Sequence, residues 1–334
     1  MTDRKLQREH FLKEQGWDGV DCPLLAGDAS FRKYYRLERG GKTVVLMDAP
    51  PPEKVKPFIK IAKFLTNNGY SAPKIYGYDV DNGFILLEDL GDNTYTRMLR
   101  KGYDERDLYK LAIDVLVDLH EDVKGLPDDL PEYDEELLEN EALLLLDWWM
   151  KAQFGDHALT KDMRKSYLKA WQKPFRYVQS RPKKVVLRDY HVDNLLLLED
   201  RTGYQACGLL DFQDAVLGSG IYDVVSLLED ARRDINIRLI EEMKMRYTSS
   251  FEDLEIDEFE ALFAILGAQR HAKVIGIFAR LCMRDDKPVY LEHIPRVWRL
   301  LERSLKHPIL KDVKTWFDTH IPKDARGIPA CLQK

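Results

Sequence analysis

A polar loop set between short apolar runs constrains this chain more than any other feature. Leu187-Arg188-Asp189-Tyr190-His191-Val192-Asp193-Asn194 leads directly into the run Leu195 to Leu198. Leu209-Leu210-Asp211-Phe212-Gln213-Asp214 follows, with Asp211 thirteen residues beyond Leu198. Apolar runs this short, bounded by turn residues, read as buried strands at 185–187, 195–198 and 207–210. The loop between the first two carries an Asp and an Asn five positions apart, so both side chains can converge on one point. The third strand ends on a second Asp. Carboxylate and amide oxygens are the hard donors that Mg²⁺ prefers.

The chain has 334 residues, long for a single hydrophobic core, so two lobes are expected. Apolar residues at 45% and charged residues at 32% are ordinary for a soluble globular protein. A net charge of −6 lacks the basic footprint of a nucleic-acid binder. Cys22, Cys207, Cys282 and Cys331 are scattered without paired spacing, which argues for reduced thiols rather than a disulfide framework or a zinc site. The first ten residues are too charged for a signal peptide. No apolar run approaches bilayer length; Leu143 to Leu146 with Trp148 and Trp149 comes nearest, and it is short and led by acidic residues. A cytoplasmic location is expected, with no nucleic-acid, membrane or obligate protein partner.

The first ninety residues read as a small, strand-rich lobe. A polar helix over 3–16 precedes a strand at Leu24 that runs into the small-residue turn Gly27-Asp28-Ala29-Ser30. Strands at 31–37 and 43–47 flank the hairpin Gly40-Gly41. After the stiff Pro50-Pro51-Pro52, residues Val55, Phe58, Ile59, Ala62 and Leu65 fall at helical spacing, and the helix stops near Asn67-Asn68-Gly69. Strands at 74–78 and 83–87 follow. From Thr94 the chain is mainly helical, with one apolar stripe at Leu108, Leu111, Ala112, Val115 and Leu119. A second helix starts near Asp134 and places Leu138, Ala142, Leu145 and Trp149 on one face. Segment 161–184 holds nine Lys or Arg against a single Asp, which reads as a solvated helix face or an anion-attracting patch.

Phosphoryl transfer needs a positioned acceptor oxygen and metal ions that offset phosphate charge, and little covalent chemistry from the protein. In that reaction Asp189 would accept or orient the acceptor hydroxyl proton, and Asn194 and Asp211 would ligate Mg²⁺. Asp193 and Asp214 read as turn-capping and loop support. His191 has no second His or Cys at metal-binding spacing and reads as structural.

These motifs resemble the aminoglycoside phosphotransferase and choline kinase superfamily, a branch of the protein-kinase-like fold. Its H-G-D-x-x-x-x-N pattern corresponds to Leu187-Arg188-Asp189 through Asn194, and its I-D-F-x-D pattern to Leu210 through Asp214. Ile221-Tyr222-Asp223 matches a segment that supports the catalytic loop. The strings Gly27 to Arg32, Met47 to Pro51, Leu87 to Asp92, Arg188 to His191, Asp211 to Ala215 and Gly276 to Leu281 further resemble the bacterial cell-wall sugar kinases. Those enzymes phosphorylate the anomeric hydroxyl of N-acetylmuramate and N-acetylglucosamine.

The resemblance covers residues 24 to about 300. It implies an α+β, bilobal fold: a β-rich nucleotide-binding lobe (1–87), a hinge (88–92) and a helical catalytic and acceptor-binding lobe (93–334). It implies ATP and Mg²⁺ as cofactors and a small sugar as acceptor. Gly27, Ala29 and Ser30 would cover the phosphates, with Arg32 and Lys33 beside them, and Glu88 and Leu90 would meet adenine. One departure stands out. Met47 occupies the third-strand position where the superfamily carries a phosphate-binding Lys. Either Arg32 or Lys33 substitutes, or the chain is a degenerate kinase.

The helix 261–284 places Arg270 and Lys273 on one side and Arg280 beyond them. These cations either meet an anionic acceptor, as a lactyl sugar requires, or are surface charges flanking a buried stripe. The acidic run 128–141 beside Trp148 and Trp149 is either a solvated helix or an attractor for a cationic acceptor. Three functions therefore stand: an anomeric amino-sugar kinase, an aminoglycoside or amino-alcohol phosphotransferase, and a non-catalytic nucleotide-binding pseudokinase.

Overall fold

The computed structural model describes residues 2–27, 31–121, 125–127 and 129–332. Along the chain run α1 (Thr2–Glu14), β1 (Leu24–Gly27), β2 (Lys33–Arg39), β3 (Lys42–Asp48), α2 (Val55–Asn67), β4 (Ile75–Asp79) and β5 (Phe84–Glu88). Then come α3 (Tyr95–Arg100), α4 (Glu105–Glu121), α5 (Glu135–Ala142), α6 (Lys151–Phe154) and α7 (Lys161–Gln179). Short strands β6 (Lys184–Val186), β7 (Leu195–Leu197), β8 (Cys207–Leu209) and β9 (Val216–Gly218) precede α8 (Ile221–Leu228) and α9 (Ile237–Thr248). The last helices are α10 (Ile256–Asp285), α11 (Ile294–Ser304) and α12 (Lys311–His320). The protein is α+β, and the chain forms two compact units. The first joins Met1–Val115, Asp122–Leu130 and Val192–Ala215; the second joins Leu116–Glu121, Pro131–His191 and Val216–Lys334.

In the first unit β1 to β5 make one antiparallel sheet in the order β1-β2-β3-β5-β4. Central β3 reads Val44-Val45-Leu46-Met47 because both of its faces are covered; all four residues are buried. Side chains alternate along a strand, so Val44 and Leu46 face one way and Val45 and Met47 the other. Val44, Leu46, Phe84 and Leu86 pack with Phe11 and Leu12 of α1, and the Phe11 and Phe84 rings stack at 5.6 Å. That packing is what a mostly polar helix contributes. The predicted α2 stripe is buried throughout. Its end is a Schellman motif: Gly69 has φ +85°, and the Tyr70 and Gly69 amides return to the Leu65 and Thr66 carbonyls.

β7 and β8 form an antiparallel hairpin with Leu195 opposite Leu209. The Leu209 amide donates to the Ser71 carbonyl (2.9 Å) and the Leu197 amide to the Asn93 carbonyl (2.8 Å), so the hairpin is hydrogen-bonded into the first unit.

The second unit is built around α10. One of the two sequence readings of this helix gives it a single buried stripe with flanking surface charges, the other cations that meet an anionic acceptor. Against the first, α10 is buried almost all round, Gln269, Arg270 and His271 included. By length and hydropathy α10 could cross a membrane, a possibility that reading the sequence for apolar runs overlooks; 89% of its most apolar window is buried inside the protein. Leu138, Ala142, Leu145 and Trp149 all turn inward as expected, through a π-helical turn at Leu145–Met150. α7 buries Tyr167, Trp171, Phe175 and Val178 while Lys161, Arg164, Lys165, Lys169, Lys173 and Arg176 stay exposed, which is the solvated-face reading. β9, not anticipated from the sequence, pairs with β6.

Gly276 lets α10 touch the π-helical segment, since a Cβ there would lie 2.2 Å from the Leu144 carbonyl oxygen. Gly276→Ala is therefore expected to destabilise the protein by about 2 kcal/mol through overpacking. A lowered midpoint in thermal unfolding would show it; an unchanged or raised midpoint would refute the close approach.

Candidate active site

Strand pairing in the first unit explains why residues seventeen positions apart meet. Asn194 immediately precedes β7 and Asp211 closely follows β8, so the hairpin register sets them side by side. The Leu210 amide donates to the Asn194 carbonyl (2.9 Å), and Asn194 Nδ2 lies 3.4 Å from Asp211 Oδ2. Gln213 Nε2 donates to Asp211 Oδ1 at 2.8 Å. Asp211 sits at φ +58°, held there while Phe212 packs on Phe58 with ring centroids 5.0 Å apart.

A cavity of about 280 Å³ adjoins this pair. Val45, Leu87, Leu90, Leu196 and Leu210 line it, and Asn194 and Asp211 contribute polar groups to it. An apolar slot with a few polar groups at one side suits a flat heteroaromatic ring bearing a charged tail. Glu88 also lines the cavity, but its carboxylate accepts from Arg201 (2.6 Å) and from the Lys74 amide (3.2 Å). The segment after it is fixed by a residue that the sequence reading missed. Arg36 donates to Asp89 at 2.9 Å and to Asp92 at 2.8 Å. The signal was only partial: Asp89 and Asp92, three positions apart, call for a nearby cation, but nothing in sequence ties them to Arg36.

Met47 is 1% exposed, so the third-strand position offers no charge. Arg32 and Lys33 differ. Arg32 Nη1 lies 3.9 Å from Asp211 Oδ1, with Nε 3.3 Å from Glu53, whereas Lys33 is exposed at the start of β2. Gly27 ends β1 opposite Lys33. Ala29 and Ser30 lie outside the described residues. Asp193 accepts from Thr96 Oγ1, a loop-supporting role. Asn194 and Asp211 fit a Mg²⁺ ion: two hard oxygen donors leave room for phosphate oxygens and water, as that ion favours.

The segment carrying Asp189 is built in the second unit. Buried Asp223 accepts from the Leu187 amide (2.6 Å) and the Arg188 amide (2.8 Å), which is the supporting role expected of it. Burial pushes its pKa up to about 7, against the two peptide hydrogen bonds that lower it. Ser226 Oγ donates to the Arg188 carbonyl at 3.2 Å. Arg188 has φ +71°, a left-handed conformation costing about 1–2 kcal/mol for a residue with a Cβ. His191 is buried, and burial lowers its pKa and favours the neutral ring.

The three cations proposed from α10 have different surroundings. Lys273 is 2.8 Å from Glu141 and 3.3 Å from the Tyr222 hydroxyl, so its charge is balanced inside the protein. Burial alone would raise the Glu141 carboxyl, but Lys273 and Arg188 outweigh it and hold it at about 2. Arg270 is 4% exposed and donates to Ser226 Oγ at 2.9 Å, while its Nη1 has no partner among the described residues. Arg280 is partly buried, which lowers its pKa, and its Nε likewise has no hydrogen-bond partner among them.

Residues 21–259 match the model of the phosphotransferase enzyme family, known as APH. The chain belongs to that family. Among family relatives, the N-acetylmuramate/N-acetylglucosamine kinase of Caulobacter vibrioides is 33% identical, covering 97% of this chain and 99% of that one. The enzyme of the same name from Pseudomonas aeruginosa is 38% identical over 89% of this chain and 88% of its own. The fold matches a choline/ethanolamine kinase family protein from Mesorhizobium loti with a TM-score of 0.64, at 13% identity over 94% of this chain and 99% of that one. It also matches a spectinomycin phosphotransferase solved with ADP and spectinomycin, with a TM-score of 0.58, 11% identity and coverage of 93% and 98%. Kinases of this family use ATP.

The raised pKa of Asp223 makes a family-independent prediction. In the unfolded chain this carboxyl titrates near 4, and in the folded protein at about 7. Between those values the folded state binds the extra proton, so Asp223 favours folding at low pH and that contribution is lost as pH rises to 7. Asp223→Asn should be destabilised at low pH by about 1–3 kcal/mol for the peptide N–H it cannot satisfy. It should also lose this pH slope between 4 and 7. Unfolding free energies measured across that range test both, and parallel slopes for the two proteins would refute the assignment.

Proposed function

We propose that this kinase transfers the terminal phosphate of ATP to the anomeric hydroxyl of N-acetylmuramate or N-acetylglucosamine, in the recycling of cell-wall sugars. Asp189 accepts or orients the acceptor hydroxyl proton. Asn194 and Asp211 hold Mg²⁺, which when bound offsets charge on the phosphates. The nearness of Arg32 to Asp211 favours it over Lys33 as the cation that replaces the third-strand lysine. A guanidinium on that segment also answers the main reason to regard the chain as a pseudokinase. Transfer is direct and in line, with no covalent enzyme intermediate. An anomeric hydroxyl is more acidic than an ordinary alcohol and makes a light demand on Asp189. In this reading residues 1–87 bind nucleotide, 88–92 are the hinge, and 93–334 carry catalysis and acceptor binding.

Arg270 is the observation that carries the acceptor class. Its buried Nη1 has no hydrogen-bond partner among the described residues, and an unmet buried donor is costly, so an incoming anion that accepts from it would offset that cost. The lactyl carboxylate of N-acetylmuramate supplies such an anion, and the relatives' names support the same choice. Arg280 remains a second proposed contact. Lys273 takes that part only at the expense of its pair with Glu141. A cationic acceptor finds less support, because several acids of the run 128–141 are already paired. Glu141 binds Arg188 and Lys273, Asp129 binds Lys60, and Glu132 binds Lys183.

Phosphorus NMR of the protein with MgATP and N-acetylmuramate should show a sugar-1-phosphate signal, lost in Asp189→Asn. Transfer to a cationic amino-compound instead would establish the amino-alcohol or aminoglycoside reading, and nucleotide binding without transfer would establish the pseudokinase. Arg270→Gln should raise KM for N-acetylmuramate by about ten-fold or more, as expected for a lost charge-assisted bond. KM for neutral N-acetylglucosamine should change much less. Equal changes for both sugars would remove Arg270 from anion recognition.

A further inference from the structure

Arg188 presents a conflict that its surroundings resolve. Its backbone is left-handed, yet it carries a long side chain directly before the base proposed above. A Cβ disfavours this conformation, and only a surrounding structure that over-determines the residue keeps it there. Its amide is held by Asp223 and its carbonyl by Ser226. Its guanidinium pairs with Glu141, which the second unit fixes from three other directions. Tyr133 donates to Glu141, Gln269 Nε2 donates to Glu141 Oε2 at 3.1 Å, and Lys273 Nζ lies 2.8 Å from Oε1. Glu141 is 7% exposed, and Lys273 and Arg188 hold its carboxyl at about 2, so it remains an anion throughout the working range.

We propose that Glu141 and Arg188 form a side-chain clamp that positions the catalytic loop: the guanidinium, locked on a buried carboxylate, holds the peptide before Asp189 in its left-handed form. Arg188 is thereby a positioning residue, with no contact to substrate. The clamp rests on the reading of Asp189 as the base. It acts on the orientation of the Asp189 side chain and leaves nucleotide and acceptor binding to other groups. Lys273 belongs to the same device: it meets Glu141 at Oε1, the oxygen that Arg188 also binds, while Tyr133 and Gln269 hold Oε2. The deep burial of Glu141, Tyr133 and Gln269 is what a clamp requires, since a screened surface pair of the same residues would be too weak to bias a backbone.

A side chain that holds the backbone and one that touches substrate respond in opposite order to two truncations. Arg188→Ala removes the clamp and keeps the Cβ that strains the loop. Arg188→Gly removes the clamp together with the need for it. Arg188→Ala and Glu141→Gln should each lower kcat by about ten-fold or more, as expected for a misplaced catalytic group, with both KM values nearly unchanged. Arg188→Gly should recover most of this loss, to within about three-fold of the parent, and Glu141→Gln should add little in that background. Equal losses in Arg188→Ala and Arg188→Gly with a raised acceptor KM would make Arg188 a substrate contact and overturn the proposal. No loss of kcat in either Ala or Gln variant would overturn it as well.

Amide hydrogen exchange over residues 186–190 reads the clamp without any acceptor. Faster exchange in Arg188→Ala and Glu141→Gln, reversed in Arg188→Gly, supports the clamp even if the sugar assignment fails. Unchanged exchange in all three variants refutes it. Absence of sugar phosphorylation by the parent protein would count against the proposed function alone.

Discussion

Two peptide N–H groups on one buried carboxylate hold the segment that leads to Asp189. Asp223 comes from the first turn of α8 and reaches the backbone of Leu187 and Arg188, so a helix and a strand end are tied at a single residue. The tie is made by backbone donors, which occur at every position; the sequence of the loop is therefore free to vary around it. Its cost is desolvation of a carboxylate, visible as the upward shift of the Asp223 pKa. Ser226, one turn along the same helix, adds a third bond to the same backbone and also receives Arg270. Helix α8 thus serves as the frame for the loop, which explains why each of its residues from Ile221 to Leu228 is buried.

The interior of the second unit is unusually rich in charge. Besides Glu141 with Arg188 and Lys273, Glu229 sits 2.5 Å from His271 and 2.7 Å from Arg303. Such groups are expensive to bury and are stable only when each has its partners in place. They share a consequence for packing: α10 has no single apolar stripe, because the consecutive residues Gln269, Arg270 and His271 point in different directions around the helix and all are buried. In the first unit the pattern is different. Its sheet core is apolar, and its ion pairs, such as Arg36 with Asp89 and Asp92, are part-exposed.

Much of the fold was legible because the strongest signals are local. The α2 stripe, the Gly40-Gly41 hairpin and the face shared by Leu138, Ala142, Leu145 and Trp149 each follow from side-chain period and turn residues alone. Asn194 and Asp211 were readable for the same reason, since two apolar runs of matched length imply a hairpin that joins their ends. What stayed hidden depends on partners distant in sequence. Nothing near Arg36 announces Asp89, and nothing near Glu141 announces Arg188. α10 misled because period analysis assumes one wet face, and buried charges satisfied by other helices break that assumption. β9 is three residues long, too short for any period to register.

The β7–β8 hairpin has a consequence for how this site tolerates change. Asn194 and Asp211 are placed by which residues pair across the two strands, so the course of the chain from Leu198 to Ala206 has no bearing on their separation. Added or deleted residues in that connection would alter its outline and leave the donor pair intact. A slip of one residue in the pairing is another matter, because it would turn every following side chain to the opposite face and send one donor away from the other. The placement of the two side chains is thus fixed in whole steps, all or nothing, with no intermediate setting for gradual drift to find.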